Sequence, residues 1–202
     1  MPRPAPILLL AFVACGPPPS GTLSARISAD SALGAAFTTE DVWSVTFTHV
    51  VLAVKPVTAT GEGIDGLPGA LAQPRLIDFV TTSQLELASN AMAEPRAYDQ
   101  LALVVGRGMN DENVNVDAAV LGRMGTRPVY IEGTATKQST TRQFQLGLPA
   151  GASVTFSGCT PTVTVASQGT ATLDFRLYPQ RLFHDDAGKV RFEAWALADT
   201  AP

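Results

Sequence analysis

The residues best suited to binding a metal are His184, Asp185 and Asp186, which follow one another in the chain. An imidazole and two carboxylates so close together can hold a divalent cation. A complete site needs three or four converging ligands, and the preceding Tyr178-Pro179-Gln180-Arg181 supplies none of the usual kind. The triplet is therefore a weak candidate for a metal-dependent sensor or hydrolase, and a solvated turn before Gly188 is the favoured interpretation.

The segment from Asp111 to Asp117 carries oxygen ligands at alternating positions, in the manner of a calcium-binding loop. It lacks the central glycine of an EF-hand and the bidentate glutamate at the twelfth position. A polar loop explains the pattern better than a calcium site does.

Catalytic motifs are missing from the sequence. There is no nucleophile elbow, no zinc-type His-Glu-x-x-His and no phosphate-binding glycine loop. Of the two histidines, His49 lies inside an apolar stretch, where a histidine in the core or at a bulge is commoner than a catalytic base. We therefore expect neither an enzyme nor a bound cofactor.

The N-terminal segment has the layout of a secretory signal peptide. Arg3 precedes the apolar run from Ile7 to Ala14, which is far shorter than the roughly 20 residues that a membrane-spanning helix needs. Cleavage by signal peptidase I after Ala14 would place the bulky Phe12 where a small residue is required. The sequence therefore predicts a signal peptide over residues 1–14 that another enzyme removes.

Cys15 stands where a lipoprotein signal places its acylated cysteine, because Phe12-Val13-Ala14-Cys15 resembles the bacterial lipobox. Several acyl chains anchor a protein durably, whereas one chain does not. The prolines at 17–19 then form a semi-rigid tether over residues 15–21. We expect a palmitate-type anchor in the cell envelope, and Gly16 favours the outer membrane, facing the periplasm or the cell surface.

Charge and cysteine content exclude several classes of protein. Removing residues 1–14 takes away Arg3 alone and leaves 13 Lys+Arg against 18 Asp+Glu, a net charge of −5. A mildly acidic surface argues against binding to nucleic acid, which needs clustered Lys and Arg, and against electrostatic binding to anionic lipid headgroups. If Cys15 is acylated, Cys159 has no partner for a disulfide, and we interpret it as a small buried hydrophobe.

Period-two alternation dominates residues 22–202, which we interpret as one domain. Trp43, Val45 and Phe47 are apolar and alternate with polar residues, and after His49 the apolar phase moves to Val50. Such a change of phase requires either a bulge or burial of both faces of the strand. Further alternating runs are separated by Gly/Pro turns, which predicts an antiparallel β-sandwich. These runs begin at Leu101, Val129, Phe144, Val154, Val163 and Leu173.

Helices are expected to be few and short. Ser83 to Ser89 and Asp117 to Met124 are each predicted as a short helix, the second beginning at an aspartate cap. The tail from Val190 to Asp199 is ambiguous and is interpreted as a closing strand. Pro56 to Pro74 and Gly106 to Thr126 are interpreted as long loops, which are usually functional or mobile.

Three segments together resemble a family of uncharacterised bacterial lipoproteins, the domain of unknown function 4382. They are Val42 to Leu52, Leu76-Ile77-Asp78-Phe79 and Tyr98 to Val105. The resemblance covers about half of the chain and implies a prealbumin- or immunoglobulin-like sandwich. This chain departs from the family pattern before Tyr98, where Arg96 and Ala97 replace a glycine. The role of the family itself is unknown. The expected function is a lipid-anchored binding or structural module with a protein or glycan partner in the envelope.

Overall fold

The computed structural model describes residues 19–55, 58–59, 74–98, 101–156 and 163–178, together with Arg181, Phe183, Lys189, Arg191 and Phe192. Strands dominate this part of the chain, accompanied by one short α-helix, α1 (Ala118–Met124), and a 3-10 turn at Ser31–Gly34. The strands are β1 (Gly21–Ala29), β2 (Phe37–Thr38), β3 (Ser44–Val54), β4 (Thr58–Ala59), β5 (Arg75–Asp78), β6 (Gln84–Ala93), β7 (Ala97–Tyr98), β8 (Leu101–Gly106), β9 (Glu112–Asn113), β10 (Val129–Lys137), β11 (Thr140–Gly147), β12 (Ser153–Phe156), β13 (Val163–Thr164) and β14 (Thr170–Leu177).

Two sheets enclose the main core. The smaller sheet has the order β14-β1-β6, and the main path of the larger sheet is β11-β10-β3-β5-β9. β2, β8, β12 and β4 extend the larger sheet, while β7 and β13 form a separate pair. Inward side chains from both sheets belong to one buried cluster. The prediction of an all-β, sandwich-like fold is therefore confirmed.

Strand pairing is mostly, not wholly, antiparallel. The sequence predicted antiparallel strands, but β1 pairs with β14 in parallel and β5 pairs with β9 in parallel. Period-two patterns report which face a residue occupies and contain no information on strand direction. Both parallel pairs among the described strands join segments that are far apart in the chain. Reasoning from hairpins between consecutive strands therefore does not predict them.

The phase change at His49 marks a bulge in β3. Phe47 lies opposite Gly133 of β10 and His49 lies opposite Glu132, so Thr48 is an extra residue on β3. Before the bulge only alternate residues are buried, whereas all five residues from Val50 to Val54 are buried. Both alternatives raised by the sequence, a bulge and burial of both faces, are thus present.

Aromatic rings fill one end of the core. The rings of Phe47 and Phe183 stack with centroids 5.8 Å apart, and Phe144 meets Phe183 edge-on at 5.8 Å. Gly133 allows this packing, because a Cβ atom there would lie 2.4 Å from the Thr46 carbonyl oxygen and 2.6 Å from Phe144 Cζ. The inward direction of Trp43, Val45 and Phe47 is confirmed.

The outer face of the larger sheet carries a second buried cluster. Val120 and Met124 of α1 pack against Val51, Ala53 and Tyr130, which point away from the main core. Asp117 caps α1 by accepting a 2.7 Å hydrogen bond from the Ala119 N–H, as predicted. The stretch from Gly106 to Thr126 is therefore not one long loop: it contains β9 and α1, and α1 packs on this face.

The prediction of a helix over Ser83 to Ser89 is wrong, because this segment belongs to β6. β6 pairs along the whole of β1, a strand that the sequence analysis did not identify. Leu85 and Leu87 point into the core, so their spacing of two reflects a strand. The long-range pairing with β1 outweighs the local helix signal.

Several predictions fall on residues outside the described part of the chain. These are the signal peptide, the tether before Pro19, the Pro56–Pro74 loop apart from β4, and most of the tail from Val190 to Asp199. Within that tail Phe192 is buried and has helical backbone, so the predicted strand is wrong at this residue.

Candidate functional site

An apolar cavity of about 360 Å³ lies between the two sheets, at the end of the core opposite the aromatic rings. The larger sheet lines it with aliphatic side chains of β3, β8 and β10, namely Val50, Leu52, Leu103, Val105, Val129 and Ile131. Ile27 of β1 and Leu177 of β14 line the opposite wall, and Leu33 closes one side. Where the rings end, medium-sized aliphatic side chains leave the space between the sheets unfilled.

The mouth of the cavity is marked by the less buried residues of its lining. Leu148, Val154 and Leu177 are half-buried, and Tyr178, directly after β14, is 42% exposed. The cavity therefore reaches the surface where β14 ends. Among the described residues of the lining Tyr178 has the one polar side chain, so these walls present hydrocarbon to a ligand.

Arginines surround the ring of Tyr178. The Arg181 guanidinium carbon lies 5.6 Å from the centre of the ring. Arg176 is hydrogen-bonded to the Tyr178 hydroxyl, and this bond, followed by that to Asp174, raises the pKa of Arg176. Both arginines are exposed, so their charges face solvent beside the cavity mouth.

Asp174 balances part of this charge on the outer face of the smaller sheet. It accepts a 2.6 Å hydrogen bond from Ser28 and a 3.3 Å bond from Arg26. Burial alone would raise the pKa of Asp174, but the hydrogen bond from Ser28 and the attraction of Arg26 outweigh burial and lower it. The carboxylate therefore stays ionised at neutral pH.

A second polar cluster centres on Asp78, at the end of β5. Asp78 Oδ2 lies 2.6 Å from His49 Nδ1, and Oδ1 accepts hydrogen bonds from the N–H groups of Val50 and Val80, each 3.1 Å long. The Asp78 side chain is 3% exposed and that of His49 is 26% exposed. His49 thus has a specific buried partner besides its place at the bulge.

Asn115 attaches the segment before α1 to the same strand end. Its Oδ1 accepts from the Asp78 N–H at 2.8 Å, and its Nδ2 donates to the Asp78 carbonyl at 3.0 Å. Nδ2 also lies within 2.8 Å of the hydroxyls of Thr81 and Thr82. These bonds fix the segment before α1 to the end of β5.

Next to this cluster, an ion pair joins α1 to the sheet. Glu132 Oε2 accepts from Arg123 Nη2 at 2.9 Å and from the Tyr130 hydroxyl at 2.9 Å. Burial is the largest influence on Tyr130 and raises the pKa of its hydroxyl, while the hydrogen bonds from Arg123 to Tyr130 and Glu132 raise the pKa of Arg123.

The candidate metal ligands His184, Asp185 and Asp186 lie outside the described residues, as do the two cysteines, Cys15 and Cys159.

The calcium-loop candidate falls within the described part of the chain. There Asp111 accepts from the Gly108 N–H, Asn113 from the Val116 N–H and Asp117 from the Ala119 N–H. These oxygens serve the turn and the helix cap, which agrees with the polar-loop interpretation. Within the described residues, no group of three or more His, Cys, Asp or Glu side chains could hold a metal ion.

Comparison with known protein families, curated proteins and solved structures finds no match. The resemblance to the lipoprotein family stays a prediction. In the part of the chain that the structure covers, no helix combines the length and the apolar character needed to cross a membrane.

The sequence analysis missed the cavity and its mouth. Alternation identified inward residues such as Leu103 and Val105, but a void depends on how far opposing side chains reach, which one strand does not reveal. Tyr178 and Arg181 were considered only as metal ligands. The sequence feature that could have indicated the mouth is the grouping of an aromatic residue with arginines at the end of a strand.

Proposed function

We propose that this chain is a lipid-anchored protein of the cell envelope whose sandwich-like domain binds an apolar ligand between its two sheets. The cavity carries the proposal. Its volume of about 360 Å³ falls at the lower end of the roughly 300–1,000 Å³ typical of small-molecule pockets. Its aliphatic walls favour hydrocarbon over the glycan or protein partner suggested by the loop pattern, because glycans need many polar contacts.

The position of the cavity suits a tethered binding protein. Gly21, where the proposed tether meets β1, packs against the Ala166 carbonyl so closely that a Cβ atom would lie 2.4 Å from it. Ile27, which lines the cavity, is six residues further along the strand, a distance of about 20 Å. The cavity thus lies toward the end of β1 opposite the end where the proposed tether would join.

The anchor is tested by incorporation of radiolabelled palmitate in the native host. We expect labelling of the wild-type protein and none of Cys15→Ala. Equal labelling of the two proteins would refute acylation at Cys15 and leave the cavity untouched.

Ligand binding is tested with residues 16–202, which retain every residue that the structure describes. A neutral apolar dye such as N-phenylnaphthylamine should gain fluorescence on binding. Val50→Phe places a ring inside the cavity and should weaken dye binding about tenfold or more, since the dye loses apolar contact. Gln143→Phe adds the same ring at an exposed position and should leave binding unchanged.

A matched substitution separates the hollow end of the core from the filled end. Val50→Phe should keep or raise the melting temperature because it fills a void. Val45 is fully buried in the same cluster near the aromatic end, and Val45→Phe should destabilise the domain by about 1–3 kcal/mol through overpacking. Dye binding that is equal in wild type and Val50→Phe would contradict the proposed site.

A further inference from the structure

The mouth of the cavity offers positive charge directly beside an apolar interior. Tyr178 lines the cavity with its ring while its hydroxyl is hydrogen-bonded to Arg176. Arg181 stands over the same ring, with its guanidinium carbon 5.6 Å from the ring centre. A ligand leaving the cavity along Tyr178 therefore passes two guanidinium groups.

Part of this charge is neutralised on the outer face of the smaller sheet, where Asp174 lies 3.3 Å from Arg26 Nη2 and 3.5 Å from Arg176 Nε, and where Glu86 of β6 lies opposite Arg26. The Arg181 guanidinium stands apart from that ion pair, over the ring of Tyr178 at the cavity mouth. Guanidinium groups bind carboxylates through paired, charge-assisted hydrogen bonds.

We propose that the ligand is a single-chain amphiphile with a carboxylate head, a fatty acid in chemical class. Its hydrocarbon chain occupies the cavity, and Arg176 and Arg181 bind the carboxylate at the mouth. This inference rests on the proposed function and adds the chemistry of the head group to it.

The cavity volume sets the length of the chain. An apolar cavity of about 150 Å³ accommodates one benzene ring, so by proportion a volume of about 360 Å³ holds roughly 14 carbon atoms. Short acids leave much of this volume empty, while much longer ones extend past Tyr178. Medium to long straight-chain acids are therefore the expected ligands.

The head group is tested by titrating myristate, myristyl alcohol and the matching trimethylammonium compound against dye bound to residues 16–202. The three ligands share one chain and differ in charge, and all are used below their micelle concentrations. Myristate should displace the dye about 10- to 100-fold more effectively than the alcohol, as expected for charge-assisted hydrogen bonds, and the cation should be weakest.

Substitution of both arginines tests whether the preference for a carboxylate head arises at the cavity mouth. The double variant Arg176→Gln, Arg181→Gln should bind myristate about 10-fold or more weakly and bind the alcohol as the wild type does. Arg142→Gln removes an exposed arginine from β11, near the aromatic end, and should change neither affinity.

The outcomes separate this inference from the proposed function. Equal affinity for the three ligands, unchanged in the double variant, would overturn the carboxylate assignment while the cavity function stands. Tighter binding of myristyl phosphate than of myristate would also overturn it, in favour of a phosphate head. Failure of the dye and of all ligands to bind would overturn the cavity function itself.

Discussion

Replacing Asp78 by alanine should destabilise the domain far more than removal of an ordinary carboxylate does. The side chain is 3% exposed and accepts hydrogen bonds from the N–H groups of Val50 and Val80, as well as contacting His49 at 2.6 Å. Alanine leaves these donors without an acceptor, in positions that water reaches poorly.

The magnitude follows from the number of orphaned donors. A buried donor without a partner costs about 1–3 kcal/mol, and the Val50 N–H is fully buried whereas the Val80 N–H is partly buried. The expected loss for Asp78→Ala is therefore about 3 kcal/mol, a large part of the roughly 5–15 kcal/mol by which domains are stable. Asp78→Asn keeps one acceptor oxygen and should lose about half as much.

Urea unfolding of residues 16–202 measures these losses. Glu112→Ala serves as the control, because Glu112 is 55% exposed and forms a surface ion pair with Arg75 that contributes at most about 1 kcal/mol. Amide exchange should also report faster opening around Val50 in the Asp78 variant. If Asp78→Ala and Glu112→Ala lose the same stability, the reasoning that makes Asp78 a buried acceptor is refuted.

Three further predictions concern the core and pH. Phe47→Ala should cost about 3–5 kcal/mol in urea unfolding and Thr46→Ala well under half of that, and equal losses would rule out one-sided burial of β3. Gly133→Ala should cost about 1–3 kcal/mol, since the new Cβ meets a backbone oxygen at 2.4 Å. Gly122 on α1 has open space around it, so Gly122→Ala should instead stabilise the domain by about 0.5–1 kcal/mol. A Gly133→Ala variant as stable as the wild type would contradict the close approach of Gly133 to the Thr46 carbonyl. The folded-state pKa of Asp174 is lowered, so ionised Asp174 adds to the free energy of unfolding. This stabilisation is fully present above the unfolded pKa of about 3.9 and is lost as the pH falls through the folded pKa. Asp174→Asn should thus lower the melting temperature at neutral pH and approach wild type in strong acid, and a constant difference would exclude this linkage.

Much of the fold could be predicted from local pattern because each face of a strand has its own environment. Trp43, Val45 and Phe47 alternate since the main core lies on one side, and the phase change at His49 correctly indicated the bulge. The aspartate cap of α1 is equally local. Such features depend on neighbours two to four residues away, which a single sequence contains.

The errors lie where distant segments decide the outcome. Gln84 to Ala93 forms a strand because β1 pairs with it, and β1 itself was overlooked, although Leu23, Ala25 and Ile27 alternate. The Asp78–His49 contact joins residues 29 apart in the chain, so no spacing rule indicated it. The cavity depends on side chains from six strands at once, and its presence follows only from their assembly.

The parallel pairing of β1 with β14 has a consequence for the timing of folding. Thr22 and Thr170 share a hydrogen bond across 148 residues, and β1 is the central strand of its sheet. Because the chain is synthesised from its N-terminus, β1 is made long before β14, and the smaller sheet stays incomplete until nearly all described residues have been made. Contacts of such large sequence separation form slowly. The topology therefore makes the appearance of β14 the event that permits closure of the core.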